Sequence, residues 1–167
     1  FITPILKKGD PASPSNYRPI SLTCVLCKVM ETVIKNELLR YLAQRNLISR
    51  QQHAFLIRRS TVTNLLDSTL DWAVMLDVGT PVDVVYIDFA QAFDSVVHRK
   101  LLTKLSAYGI CGKLLLWISA FLHSRLQCVV VENTRSQWCS VISGVPQGSV
   151  LGPVLFVIYI LMILPIV

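Results

Sequence analysis

An aspartate lies at the end of an apolar stretch of the chain, where a carboxylate is unusual. Asp88 follows the apolar run 84–87 and is itself followed by Phe89. Burying a carboxylate is costly unless the group is paired, hydrogen-bonded or bound to a cation. The residue types leave two alternatives for Asp88. It is either a ligand of a hard metal ion or a strand-end carboxylate that is hydrogen-bonded to a neighbouring turn.

A second aspartate, Asp94, lies six residues further on and begins a pattern that predicts a helix to about Tyr108, closed by Gly109. Asp and Ser are favoured N-caps, because their side-chain oxygens accept hydrogen bonds from amides of the first helical turn. Capping therefore explains Asp94 without any catalytic role. Phe93, directly before it, either lines a pocket or packs in the core.

The glycine-containing segment 143–149 can come close to a ligand, because its small residues leave backbone amides exposed. Gln147 lies at its centre, and its side-chain amide can both donate and accept hydrogen bonds. The segment lacks the Gly-Lys-Ser/Thr of a phosphate-binding P-loop, which disfavours a simple nucleoside triphosphatase. An ordinary turn between a strand and a helix is the structural alternative.

The remaining pattern must supply the elements that position these residues. Apolar residues recurring at three and four predict helices over 22–44, 61–76 and 113–123. The β-branched and aromatic run 82–89 predicts a buried strand, and 125–132 with 137–141 predict a hairpin. The Pro-rich segment 2–19 is interpreted as an extended arm or loop. Helices and strands alternate irregularly, so the predicted class is α+β.

Composition favours a folded, nucleic-acid-binding protein. The chain has 167 residues, of which 53% are hydrophobic and 16% charged, which argues against disorder. Its net charge of +6 comes from Lys and Arg spread along the chain, with local concentrations at Lys7-Lys8, at Arg58-Arg59 and at 98–100. Such clusters suit a polyanion, although many soluble proteins are basic as well.

The cysteines and the apolar C-terminal run indicate neither a metal site nor a membrane anchor. Only Cys24 and Cys27 among the five cysteines are close in sequence, so buried free thiols in a reducing, intracellular compartment are expected. The uncharged run 150–167 is 18 residues long, but Gly152-Pro153 and Pro165 interrupt it. It is therefore predicted to be a buried helix and not a membrane span. No secretory signal is found, and localisation in the nucleus or the cytoplasm is expected.

Five segments, in this order, resemble the reverse transcriptases of non-LTR (LINE-like) retrotransposons. They are PILKKGD (4–10), NYRPISL (16–22), QHAF (52–55), YIDFAQAFDSV (86–96) and GVPQGSVLGP (144–153). The resemblance implies a right-hand polymerase fold, with fingers in 1–81 and a partial palm in 82–167. Together these regions would make one incomplete reverse transcriptase domain.

The same resemblance implies the roles of individual residues and the partners. Asp88 would be the first catalytic, magnesium-binding aspartate, with the Ile87 carbonyl beside it, in a two-metal mechanism that uses Mg2+, or Mn2+ in its place. The expected nucleotide-binding residues are Phe93, Gln147, Gly148 and Arg18. The expected nucleic-acid contacts are Lys7, Lys8, Arg58 and Arg59. The partners would be an RNA template, a DNA primer and deoxynucleoside triphosphates, with no membrane and no indicated oligomeric state.

Two departures from the family pattern bear on activity. Leu56 stands where the family has Arg after Gly-Phe, and Leu161-Met162-Ile163-Leu164-Pro165 stands where Asn-Asp-Leu-Pro is usual. No Asp-Asp pair occurs in the sequence, so the chain is expected to stop before the catalytic paired-aspartate hairpin and to lack polymerase activity. The alternative is a catalytically dead remnant that binds nucleic acid.

Overall fold

The computed structural model describes residues 1–160, which form a mixture of helices and short strands. The helices are α1 (Val25–Gln44), α2 (Thr61–Asp77), α3 (His98–Ala107), α4 (Gly112–Leu122) and α5 (Gly152–Ile160). The strands are β1 (Ile2–Leu6), β2 (Tyr17–Ser21), β3 (Leu126–Gln127), β4 (Val130–Val131), β5 (Thr134–Arg135) and β6 (Cys139–Ser140). The predicted mixed class is confirmed, while the departure at 161–165 lies outside the described residues.

The Pro-rich beginning of the chain forms an antiparallel ribbon, where an arm or loop was predicted. β1 pairs with β2 over five residues, from Ile2 opposite Ser21 to Leu6 opposite Tyr17. Pro4 and Pro19 face each other in this ladder, and a two-stranded ribbon tolerates proline because each strand has a free edge. The Ile2 amide also donates to the Cys128 carbonyl, which joins the ribbon to the C-terminal hairpin.

The long N-terminal helix confirms the prediction for 22–44 from Val25 onward, but only half of its expected buried stripe is buried. The Cys24 sulfur caps the helix by accepting a hydrogen bond from the Cys27 amide at 3.3 Å. Leu38, Leu39 and Leu42 are buried in its second half. The apolar residues of its first half are exposed, namely Val25, Leu26, Val29, Met30 and Val33.

The second helix is also confirmed in position, with α2 spanning one residue more than the predicted 61–76. Ser60 and Thr63 form a capping box, each side chain bonding the other's backbone amide. None of the residues of α2 is buried, although Leu65, Leu66 and Leu70 repeat at helical spacing. Periodicity predicts a helix here, but burial also requires a packing partner.

The core lies between the second half of α1 and helices α3, α4 and α5. Its fully buried members include Leu42, Leu101, Ile118 and Leu155. α3 ends at Ala107, and Gly109 closes it as predicted, because its φ of 85° lets the Ile110 amide reach back to the Leu105 carbonyl. The predicted helix 113–123 is confirmed as α4, and the buried α5 confirms the expected core helix.

The predicted strand 82–89 is wrong. These residues have no regular structure, and Val85 and Tyr86 are more than four-fifths exposed. A strand needs a neighbour that satisfies its backbone, and no strand among residues 1–160 pairs with this run. Its β-branched composition therefore favours a strand only where a neighbouring strand is present, and this structure provides none among residues 1–160.

The predicted cap at Asp94 is also wrong, because α3 begins three residues later than expected and Val97 is its N-cap. Asp94 and Ser95 instead belong to a turn in which both amides donate to the Gln91 carbonyl. The Ser95 hydroxyl donates to that carbonyl as well, at 2.9 Å. Short side-chain and backbone bonds of this kind compete with helix formation.

The C-terminal hairpin is confirmed between α4 and α5. β3 pairs with β6 and, nested inside, β4 pairs with β5, so that the chain reverses next to Glu132 at its φ of 52°. The expectation of buried thiols holds for Cys128 alone, because the other four cysteines are exposed. No helix among residues 1–160 is long and apolar enough to cross a membrane.

Truncating the core at Leu155 should lower the free energy of unfolding by about 2–5 kcal/mol, because Leu155→Ala leaves a cavity in a fully buried site. Leu70→Ala is the matched control, since Leu70 is 64% exposed on α2. Its effect should stay within about 0.5 kcal/mol. Urea unfolding followed by circular dichroism measures both changes, and equal losses for the two variants would contradict this core.

Candidate nucleotide and nucleic-acid cleft

A cleft of about 940 Å3 collects residues that are far apart in the sequence. The β1–β2 ribbon supplies one wall with Lys7 and Arg18, and the segment 88–94 supplies the facing wall. Gln147 reaches the cleft from the glycine-containing loop, and Val129 and Val131 reach it from the C-terminal hairpin. The predicted site residues Lys7, Arg18, Asp88, Phe93 and Gln147 are thus brought together.

Asp88 lies on the wall of the cleft and is exposed, in contrast to the buried strand position predicted for it. Ile87 is exposed beside it. Among residues 1–160 no group of three or more His, Cys, Asp or Glu side chains is close enough to hold a metal ion. The described residues therefore do not form a complete metal site around Asp88.

The cleft is lined by basic residues of the ribbon and by two aspartates. Arg18 is exposed on β2 opposite Ile5, and Lys7 is exposed just beyond β1, where its ammonium group lies 3.4 Å from the Ser15 carbonyl. Burial raises the pKa of Asp94, and the charge of Lys7 partly offsets this rise. The cleft therefore holds both signs of charge, as a site for a nucleotide and a cation requires.

Phe93 is positioned by two other aromatic rings. It stacks on Phe156 of α5 at a centroid distance of 4.7 Å and meets Phe55 edge-on at 6.2 Å. Phe55 belongs to the Gln-His segment and has a φ of 62°, which a non-glycine residue rarely adopts. The three rings fix Phe93 at the edge of the cleft while leaving it partly accessible.

The loop from Ser143 to Leu151 is fastened to the wall that carries Phe93 and Asp94. The Val145 amide donates to the Phe93 carbonyl at 2.9 Å, and the Gly144 amide donates to the Val96 carbonyl at 2.8 Å. The Ser143 hydroxyl donates to the Asp94 carbonyl at 3.0 Å. A side chain at Gly144 would meet the Asp94 backbone at 2.9 Å, so only glycine allows this approach.

The same loop is fastened to the ribbon on its other side. The Ser21 amide donates to the Gln147 carbonyl at 2.6 Å. Gly148 has a φ of 110°, and a Cβ there would lie 2.7 Å from the Ser21 carbonyl oxygen. Gln147 is therefore held by its own backbone, and its side chain is free to reach into the cleft.

Three residues that the sequence analysis missed support this loop. Glu31 of α1 is buried, and its Oε2 accepts hydrogen bonds from the amides of Val150 and Leu151. His98 Nε2 and the Arg125 guanidinium both donate to the Gly144 carbonyl, at 2.8 and 3.2 Å. A signal for Glu31 was present, because it lies seven residues before Leu38 and so on the same face of the helix.

Five other predicted residues lie outside the lining of the cleft, and Ile87 is one of them. Lys8 and Arg58 are exposed, and Gly148 contributes to the loop through its backbone. The Arg59 guanidinium donates to the Arg50 carbonyl and lies 3.3 Å from His53 Nε2. Arg59 thus stabilises the loop between α1 and α2.

Comparison with known proteins gives the family. Residues 5–165 match the reverse transcriptase (RNA-dependent DNA polymerase) family. The chain belongs to this family. That match covers β2 and the end of β1, the wall with Asp88 and the loop with Gln147, and only Ile2 and Pro4 of the cleft lining lie before it.

Its relatives are polymerases of mobile elements, which confirms the resemblance to non-LTR retrotransposon reverse transcriptases. The probable RNA-directed DNA polymerase from transposon BS of Drosophila melanogaster is 35% identical over 93% of this chain and 17% of that protein. The RNA-directed DNA polymerase from mobile element jockey of the same species is 33% identical over 89% of the chain and 16% of that protein. The Pol polyprotein of element R2 of Nasonia vitripennis is 27% identical over 91% and 14%. The chain thus spans about a sixth of the length of these relatives.

Adding a methyl group at Gly148 should destabilise the reverse transcriptase fold more than the same change at a free turn. Gly148→Ala combines a positive φ with a clash against the Ser21 carbonyl, whereas Gly79→Ala has a φ of 74° and no atom within 4 Å. The Gly79 variant should lose about 1 kcal/mol and the Gly148 variant a further 1–3 kcal/mol. Urea unfolding tests this, and an equal loss at both positions would contradict the close approach.

Acid should weaken the fold through His98. Burial lowers the pKa of His98, the hydrogen bond to Gly144 partly offsets this, and His123 and Arg125 lower it further. The unfolded chain then binds the extra proton first, so this contribution to stability is present above the ordinary pKa of 6.5 and is lost as the pH falls through the lowered native value.

His98→Gln provides the control, because Gln can still donate to Gly144 but does not titrate. We expect the free energy of unfolding of the wild type to fall more steeply than that of the variant between about pH 7 and pH 5. Parallel pH profiles of the two proteins would show that His98 does not carry this dependence.

Proposed function

We propose that this chain forms the part of an RNA-directed DNA polymerase of a non-LTR retrotransposon that receives the incoming deoxynucleotide and the RNA template paired with its DNA primer. The observation that carries the proposal is the cleft, where a basic ribbon, an aspartate, an aromatic ring and Gln147 converge. Four separate family segments supply these groups. A shared nucleotide site requires these four segments to meet in one place. Four segments with unrelated structural roles would have no reason to do so.

The two regions of the chain would divide the work. Residues 1–81 act as a fingers-like region, which supplies the exposed cations of the ribbon and of the loop after α1. Residues 82–167 act as a partial palm, which supplies Asp88 and the loop with Gln147. In support, these two regions meet at the cleft through the hydrogen bond from Ser21 to Gln147.

Each predicted residue has a role that fits its position. Arg18 binds phosphate oxygens, since a guanidinium group presents a fork of donors to them. Phe93 lies against the sugar, because its ring is fixed at the edge of the cleft. Gln147 and the backbone of Gly148 contact the nucleotide or the template. Lys7 contacts phosphates inside the cleft, while Lys8, Arg58 and Arg59 contact the nucleic-acid backbone beyond it.

Magnesium, or manganese in its place, would bind to Asp88 with the Ile87 carbonyl beside it, and would neutralise charge on the phosphates. The described residues do not fit a complete two-metal site, since Asp88 is their only predicted carboxylate ligand and they include no cluster of three or more possible ligands. The 167-residue sequence also has no Asp-Asp pair. We therefore propose that this chain by itself binds substrates without catalysing nucleotidyl transfer.

The absence of such a cluster from residues 1–160 also favours a second candidate, a remnant that only holds nucleic acid. Its binding would depend on salt and not on magnesium, because phosphate contacts of Lys and Arg release counterions. The two candidates differ in whether a nucleotide is recognised. A magnesium-dependent nucleotide site belongs to the first candidate alone.

Fluorescence anisotropy with a labelled RNA–DNA primer–template tests the proposal. Arg18→Ala should weaken binding about 5–10-fold at moderate salt, because it removes a phosphate contact inside the cleft. Lys113→Ala is the control, since Lys113 is exposed at the start of α4 and outside the cleft. Its affinity should stay within about twofold of the wild type.

The nucleotide is tested by adding a deoxynucleoside triphosphate that matches the template, with and without Mg2+. The wild type should bind the primer–template more tightly in the presence of both, and Asp88→Asn should lose this gain while keeping the basal affinity. A gain that survives in Asp88→Asn would contradict the role of Asp88. Salt-sensitive binding with no gain in the wild type would establish the second candidate instead.

A further inference from the structure

The glycine-containing loop is held from below by a buried acid on the first helix. Glu31 is only 1% exposed, and its Oε2 accepts hydrogen bonds from the amides of Val150 at 2.8 Å and Leu151 at 2.9 Å. Its other oxygen, Oε1, is buried and has no hydrogen-bond partner within residues 1–160. No Lys or Arg forms an ion pair with Glu31 in this part of the chain.

We propose that Glu31 is a positioning residue of the nucleotide site, which acts through Val150 and Leu151 to hold Gln147 at the cleft. The inference rests on the proposed function, because it assigns to Glu31 the orientation of a residue that would contact the nucleotide. Glu31 itself does not line the cleft. Its effect is therefore transmitted by the backbone of the loop.

A carboxylate suits this position better than an apolar side chain of similar size. The two amides lie directly before α5, and the first amides of a helix have no partners within the helix itself. A negative charge at this end also interacts favourably with the helix dipole. An apolar residue would fill the space but would leave both amides unbonded, so it would not fix the direction of the loop.

Hydrogen bonds also fix the loop between Gln147 and the amides that Glu31 binds. Ser149 is buried, donates its hydroxyl proton to the Pro146 carbonyl and accepts a hydrogen bond from the Gly152 amide, each at 2.9 Å. The Ser21 amide holds the Gln147 carbonyl from the ribbon side. Only residues 148–150 separate Leu151 from Gln147, and Ser149 among them is hydrogen-bonded on both sides. A shift at Leu151 should therefore be transmitted to Gln147.

The chain offers matched variants for a test. Glu31→Ala removes the acceptor, whereas Glu31→Gln keeps an oxygen that can accept from both amides, loses the charge and replaces the unbonded oxygen by an NH2 group. Glu37→Ala is the control on the same helix, because Glu37 is exposed and pairs with Arg40 at the surface. Glu37 touches neither the loop nor the cleft.

Two measurements on the full chain separate structure from function. Hydrogen exchange reports whether the amides of Val150 and Leu151 are protected. Photo-crosslinking of an azido-deoxyadenosine triphosphate, with an RNA–DNA primer–template and Mg2+ present, reports nucleotide capture. Anisotropy of the primer–template alone reports binding that is dominated by the phosphate contacts of Lys and Arg, to which the neutral Gln147 side chain adds little.

We expect Glu31→Ala to lose protection at both amides and to capture nucleotide with about tenfold lower affinity, because misplacing a contact group weakens an oriented site. Its affinity for the primer–template alone should be unchanged. Glu31→Gln should recover most of the capture, and Glu37→Ala should equal the wild type in every measurement. Recovery by Gln would show that the hydrogen bonds, and not the charge, position the loop.

Each contrary result has its own meaning. Wild-type capture by Glu31→Ala, despite lost protection, would overturn the positioning role and leave the proposed function intact. Parallel loss of nucleotide capture and of primer–template binding would show that Glu31 only supports the fold. Absence of nucleotide capture in the wild type would sink the nucleotide site itself, together with any positioning role for Glu31.

Discussion

The structure depends on the need of one loop to find hydrogen-bond partners outside itself. Residues 143–151 form neither helix nor strand and lead directly into α5. Their amides and carbonyls must therefore be satisfied largely by other segments. The turn at Phe93, the end of β2, Glu31 and His98 each supply one or more of these partners. The loop is thereby the common attachment point of elements that are otherwise distant in sequence. Glycine at 144 and 148 makes the close approaches possible, because a side chain at either position would collide with a neighbouring backbone.

A different constraint governs the segment that carries Asp88. Its composition favours a strand, yet its residues are exposed and unpaired, because a strand exists only where another backbone accepts its hydrogen bonds. The same reasoning applies to the exposed apolar residues of α1 and α2, which have helical spacing but no packing partner among residues 1–160. Local preference and burial are thus separate properties in this protein. Asp88 lines the same cleft as the other site residues although it does not belong to a strand.

The sequence predicted the local elements better than their surroundings. Periodicity located α1, α2 and α4, Gly109 marked the end of α3, and the motif order identified the family. The strand at 82–89 was wrong because no strand among residues 1–160 pairs with it, and the cap at Asp94 was wrong because a local turn onto the Gln91 carbonyl replaces the first helical turn. Glu31 was overlooked for a related reason. Its place on the same helix face as Leu38 indicated burial, but its hydrogen-bond partners Val150 and Leu151 are 119 and 120 residues away and could not be found from the sequence.

The hydrogen bonds of Glu31 also set an order of assembly, since they join residues 119 and 120 positions apart. Contacts of such long range close a large loop of chain and form late. A ribosome adds about 5–20 residues per second, so Glu31 waits on the order of ten seconds before its partners are synthesised. During that time Glu31 lacks the two amides, and α1 lacks the part of its core that α5 supplies. The cleft therefore requires the chain as far as Leu151, because the ribbon, the helices α1 to α4 and the hairpin made before that point lack the hydrogen bonds that hold the loop with Gln147.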